Sequence, residues 1–196
     1  MKKTAFLFCL LNLFVFQVYA DIFGTDDREN LNSTHRKAHL AKSVAVGVIN
    51  TIWEDTDSLL SELMVDPLSD FMCSNERFVN QHSVSYACTG FLVGPDLLVT
   101  AGHCSVNSGE IRSSSEKYCQ AYTWLFGYDN HMNIERVPKS NIYNCKEIIY
   151  ATQIEIDGQS HDFGLIRLDR KVKDRRPLKL AHKPVIADDS VSMIGH

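Results

Sequence analysis

Two side chains in this sequence could move a proton between them and a third partner. His103 sits in Thr100-Ala101-Gly102-His103-Cys104, and Asp162 heads the apolar run Phe163-Gly164-Leu165-Ile166-Arg167-Leu168. A neutral imidazole can accept a proton from a hydroxyl and pass it to a leaving amine, and a carboxylate can orient that ring and stabilise its cation. The two lie 59 residues apart, so only the fold can join them. Each has a plainer reading: His103 as a structural histidine beside a disulfide, Asp162 as an ordinary strand-capping residue. Asp157 is a substitute carboxylate, but Gly158 after it marks it as a turn residue.

A general base must be held still, because a misplacement of about 1 Å costs on the order of 100-fold in rate. The stretch from Tyr86 to Cys104 offers such restraint. Two strands joined by Gly94-Pro95-Asp96 bring Cys88 and Cys104 together, and a bridge there would pin the histidine loop. Cys104 as a thiol nucleophile is disfavoured, since neighbouring side chains on an extended strand face opposite ways. His35 and His39 have a loosely zinc-like spacing but no further ligands near them, so no metal and no cofactor are expected.

The histidine segment resembles that of the trypsin-like serine proteases, whose motif reads Thr-Ala-Ala-His-Cys with a partner cysteine before it. Gly102 in place of the second alanine is similar to the glutamyl endopeptidases and their relatives. Ile22-Phe23-Gly24-Thr25-Asp26-Asp27-Arg28 resembles the mature start of those enzymes, Val-Ile-Gly-Ser-Asp-Asp-Arg. The run from His161 to Leu168 resembles the Asp-Tyr-Ala-Leu-Ile-Arg-Leu pattern that carries the family's catalytic aspartate. The resemblance implies an all-β chymotrypsin-like antiparallel barrel, His103 and Asp162 as catalytic residues, and a polypeptide substrate handled by a monomer.

The elements that must position these residues follow from patterning. Val44, Val46 and Val48 alternate along a strand, and further strands are expected over residues 84–93, 97–101, 122–128, 147–152, 163–168 and 191–194. Between them, Leu59, Leu60, Leu63 and Met64 recur at helical spacing, with Asp57 or Ser58 as a cap and Pro67 as a stop. A helical insertion near 54–72 is therefore expected. Residues 109–117 read as a Ser-rich loop.

Lys2 and Lys3 precede an apolar run of about 12 residues, short of the roughly 20 a membrane span needs, and Gln17-Val18-Tyr19-Ala20 supplies small residues for signal cleavage. Residues 1–20 thus read as a secretory signal, 21–42 as an N-terminal arm or short propeptide, and 43–196 as a first barrel with the start of an inter-barrel region. With Lys2 and Lys3 removed, 18 basic side chains face 24 acidic ones, which argues against nucleic acid as a partner. No later segment suggests a membrane association.

Export makes disulfides the default. Cys9 leaves with the signal, and five cysteines remain. Cys88 with Cys104 and Cys119 with Cys145 are the expected pairs. Cys73 is left over, either as a free buried thiol or with a partner beyond His196.

The family's nucleophile sits in Gly-x-Ser-Gly, and no such motif occurs here. Ser108 lacks the preceding glycine, and Ser190 and Ser192 lack any glycine for a sharp turn. With the apolar end at Ile194-Gly195-His196 and the odd cysteine, the expectation is a fragment: the first barrel of a secreted serine endopeptidase, inactive alone. The alternative is a protease-like secreted module kept for binding.

Overall fold

The computed structural model describes residues 25–31, 34–84, 88–106 and 116–195. The expected signal, Ile22 to Gly24, and Ser108 with most of the Ser-rich stretch lie outside them. In chain order the strands are β1 (Val44–Ile49), β2 (Trp53–Asp55), β3 (Leu60–Leu63), β4 (Cys88–Leu92), β5 (Leu97–Thr100), β6 (Tyr122–Phe126), β7 (Val137–Pro138), β8 (Ile142–Ile156) and β9 (Gln159–Leu168). Two short helices, α1 (Ala38–Ala41) and α2 (Glu116–Ala121), precede β1 and β6.

Six strands close an all-antiparallel barrel in the order β1-β4-β5-β9-β8-β6. Closure leaves no barrel edge unpaired. Its interior is filled by Ala45, Leu92, Leu98, Trp124, Phe126, Tyr143, Ile166 and Leu168. The indole of Trp124 lies against Gly47 and Gly90, where a Cβ would come within 3.1 and 2.8 Å of the ring. Tyr143 meets Phe126 edge-on with ring centroids 5.4 Å apart.

Val46 and Val48 face the other way, into a second cluster with Leu63, Leu125 and Val137. That cluster is roofed by a small sheet of β2, β3 and β7. β1 is consequently buried on both faces, which explains why Val44-Ala45-Val46-Gly47-Val48-Ile49 is apolar throughout.

The expected helical insertion is corrected here. Residues 53–63 form a hairpin, with Trp53 opposite Leu63 and Asp55 opposite Ser61, and only a single 3-10 turn follows at Leu68–Asp70. Asp57 does cap local N–H groups, accepting from Leu59 at 2.6 Å and Leu60 at 2.7 Å, but in a turn rather than at a helix start. Leu63 is needed over Val46 and Val48, and pairing of Leu60 with Pro138 on β7 holds the hairpin there. Burial across the sheet outweighs a local spacing that favours a helix, since the strand buries Ser61 and Leu63 rather than Leu60 and Leu63.

The strand expected at 191–194 is absent: those residues are irregular, with Val191 to Met193 exposed and Ile194 half-buried, because the closed barrel offers no edge to join. Lys117 falls in α2 rather than in a loop. Conversely β8 and β9 are longer than expected and form one long hairpin. Its turn is Asp157-Gly158, with φ of +52° and +72°, the left-handed pair that a two-residue hairpin loop requires.

Candidate active site

β5 pairs with β9, and the last paired residues are Thr100 and Gly164. Beyond that point β9 continues along β8, with Asp162 opposite Gln153, while the other chain leaves the sheet. It folds at once into a 3-10 turn, Gly102–Cys104. Continuing the β5–β9 register by two residues would set Gly102 opposite Asp162, so the turn lays His103 over that carboxylate.

The contact is two-fold. The backbone N–H of His103 donates to Asp162 Oδ1 at 2.8 Å, and His103 Nδ1 meets Asp162 Oδ2 at 2.7 Å. Burial alone would raise the Asp162 pKa. The side-chain and backbone hydrogen bonds from His103, its charge and the nearby Gly102 N–H outweigh that and hold the carboxyl below its usual range. Asp162 is therefore ionised at neutral pH and can only accept. In the neutral ring Nδ1 must then carry the proton, which leaves the lone pair on Nε2. The His103 side chain is 52% exposed and that of Asp162 31%, so Nε2 is accessible. An imidazole in this tautomer, backed by a carboxylate, can accept a proton at Nε2 and hold the resulting cation.

Three features hold the turn. A disulfide joins Cys104 to Cys88 on β4, with Cα atoms 6.3 Å apart. Ser105 N–H donates to the Gly102 carbonyl at 2.7 Å and Val106 N–H to the same oxygen at 3.0 Å. Thr100 Oγ1 donates to the Thr89 carbonyl at 2.8 Å, tying β5 to β4 just before the turn. Cys104 is buried while His103 is exposed, though on a 3-10 turn and not on the extended strand that the sequence suggested.

Sequence reasoning missed why residue 102 is glycine. A Cβ there would fall onto the Thr152 carbonyl and lie 3.0 Å from the Phe163 nitrogen. The turn rests directly on the backbone of the β8–β9 hairpin. No sequence signal identifies Thr152 as the partner, because the contact is with its main chain.

The other singled-out residues are placed as follows. Cys119 and Cys145 form a second disulfide, linking α2 to β8. Cys73 is unbridged and exposed, which corrects the reading of a buried thiol. Asp157 occupies the hairpin turn. His35 bonds Glu29 at 2.8 Å and His39 bonds the Arg36 carbonyl at 3.1 Å, so the two do not converge. Cys88, His103 and Cys104 bring donor atoms together, but both sulfurs belong to the disulfide. Asp26 and Arg28 are bonded to each other at 2.8 Å, and Arg77 donates to the Asp26 carbonyl at 2.8 Å. Arg28 and Arg77 lie over the Phe78 ring at 5.4 and 5.0 Å, docking the N-terminal arm onto the loop before β4. Ser190 and Ser192 lie in the exposed terminal stretch, where Ser192 Oγ bonds Lys37 Nζ. Among the described residues, no hydroxyl is hydrogen-bonded to His103 Nε2.

A protein-family model described as Trypsin matches residues 70–196. That span covers both His103 and Asp162. No curated protein and no solved structure matches the chain at significance.

Proposed function

The chain belongs to the trypsin family, and on that premise we propose that His103 and Asp162 are the general base and its orienting acid in a secreted serine endopeptidase. The observation that carries this reading is the two-point contact of His103 with Asp162. Main-chain and ring bonds from one residue to both oxygens of one carboxylate orient the imidazole and set a negative charge beside the cation it forms.

In this reading His103 Nε2 takes the proton of a serine hydroxyl as it attacks the scissile carbonyl. Asp162 stabilises the imidazolium, and the same proton then passes to the leaving amine. The nucleophile lies outside these 196 residues, which contain no Gly-x-Ser-Gly, and its adjoining oxyanion donors lie outside with it. Residues 43–196 supply the first barrel, and alone they turn over no peptide by this route. Residues 1–20 act as the export signal. The two disulfides suit an oxidising compartment.

Within the family, the Ile22 to Arg28 stretch and Gly102 favour the glutamyl endopeptidase branch. The docked arm, with Gln81 bonding Asn30 at 2.8 Å, supports a mature chain that begins near residue 21 rather than after Lys42. N-terminal sequencing of the secreted protein decides between those starts.

The reading is tested on purified residues 21–196 with a casein-type substrate. No turnover is expected. Turnover that disappears in His103→Ala would overturn the claim that the nucleophile lies elsewhere. A binding module without catalysis remains the competing function. It is favoured if the longest secreted form of the protein, sequenced to its end, contains no serine labelled by a fluorophosphonate.

A further inference from the structure

Basic residues are unevenly spread along this acidic chain. Of its 20 Lys and Arg, seven fall between residues 170 and 183, where Asp174 is the only acid. That stretch leaves β9, crosses the end of β4 and packs against the segment preceding β1. Ser43 Oγ donates to the Arg176 carbonyl at 2.6 Å, Arg175 Nη1 to the Lys42 carbonyl at 3.2 Å, and Leu178 N–H to the Leu92 carbonyl at 2.7 Å.

Between the two segments lies a groove of about 710 Å³. Leu40, Pro177 and Leu178 give it apolar walls, and Lys42, Arg175, Arg176 and Lys179 give it positive charge. Its one carboxylate is already committed: Asp174 receives two bonds from Arg175, the longer at 3.0 Å. Arg175 is itself built into the wall, 8% exposed and stacked over Phe126 at 4.9 Å. Among the described residues, Lys42, Arg176 and Lys179 have no ion-pair partner. The groove sits at the Leu92 end of β4, the opposite end from Cys88 and the histidine turn.

We propose that this groove is a docking site for an extended acidic peptide segment that carries an apolar side chain between its acidic ones. Three unpaired cations around a groove in a chain of net charge −4 call for an anionic ligand. The apolar walls decide its class. A sulfated polysaccharide would satisfy the cations and leave Leu40, Pro177 and Leu178 facing a polar polymer. A peptide with a leucine-sized residue among Asp or Glu satisfies both. The charges supply attraction and on-rate, and the apolar contact supplies the anchor.

The test needs no turnover, so it fails or succeeds independently of the endopeptidase reading. The whole chain is produced by secretion, so that both disulfides form, and titrated against three labelled peptides of one length by fluorescence anisotropy. One alternates Glu or Asp with Leu, one replaces the acids by Gln or Asn, and one replaces Leu by Ser. The first is expected to bind at least about tenfold more tightly than either control, and to weaken as salt rises. Combined Lys42→Ala, Arg176→Ala and Lys179→Ala should weaken it about tenfold with an unchanged melting curve. Arg175 is left intact because it holds the wall. The proposal is overturned if the Ser peptide binds as well as the Leu peptide, if a folded triple variant binds undiminished, or if only heparin binds. The wild-type peptide series decides the matter even if the triple variant does not fold.

Discussion

Asp162 holds His103 at two points, by the main-chain N–H at 2.8 Å and by ring Nδ1 at 2.7 Å. One bond fixes where the turn lies and the other fixes which ring nitrogen bears the proton. Position and tautomer are thus set by a single carboxylate.

Replacing Asp162 by Asn should reverse the tautomer. The amide can turn its NH₂ toward Nδ1, and the proton then moves to Nε2. Nitrogen-15 chemical shifts of His103 in wild type and Asp162→Asn report this directly. Unchanged shifts would show that the main-chain bond alone orients the residue.

Acid should weaken the wild-type fold more than that of Asp162→Asn. Burial raises the Asp162 pKa, but the bonds from His103 lower it further, to a net value below the ordinary 3.8. A carboxyl depressed in the folded state stabilises that state above its unfolded pKa and loses the contribution as pH falls through the folded value. Urea melts should therefore converge for the two proteins as pH drops below about 4. Parallel curves throughout would remove Asp162 as the source.

Gly102→Ala should cost about 1–3 kcal/mol, because a methyl group there meets the Thr152 main chain, which cannot rotate away. It should also lift the turn and lengthen the His103–Asp162 bond. Gly158→Ala is the control: its φ is +72° and nothing lies within 4 Å, so only backbone strain of about 1 kcal/mol applies. Denaturant melts give the costs. The downfield Nδ1 proton signal should change in the first variant and persist in the second.

Removing the bridge with Cys88→Ser and Cys104→Ser opens a loop with a sequence separation of 16, which should cost about 3 kcal/mol. Exchange of the His103 and Ser105 amides should accelerate at the same time. A stability loss without faster exchange would mean that the hydrogen bonds to Gly102 hold the turn unaided.

Much of the fold was legible because barrel strands carry local signals. Alternation along Val44 to Val48 marked β1, and Asp157-Gly158 marked the turn of the long hairpin. The stretch at 53–63 was not legible in the same way. Leu60 and Leu63, three apart, suit a helical stripe, whereas the strand buries Ser61 and Leu63. The choice depended on Val46 and Val48 needing cover from outside the segment.

The sequence by itself determined the chemistry available: an imidazole, a carboxylate, the cysteines that flank the turn and a glycine before the histidine. The tertiary structure alone decided that these meet. Pairing of Thr100 with Gly164 sets the register that carries Asp162 beneath His103. Residue 102 must be glycine because a hairpin 50 residues further along the chain, at Thr152, lies against it. Side-chain type is a local property of the chain, but strand register is settled by the collective burial of two barrel faces, and that register brings the two groups within bonding distance.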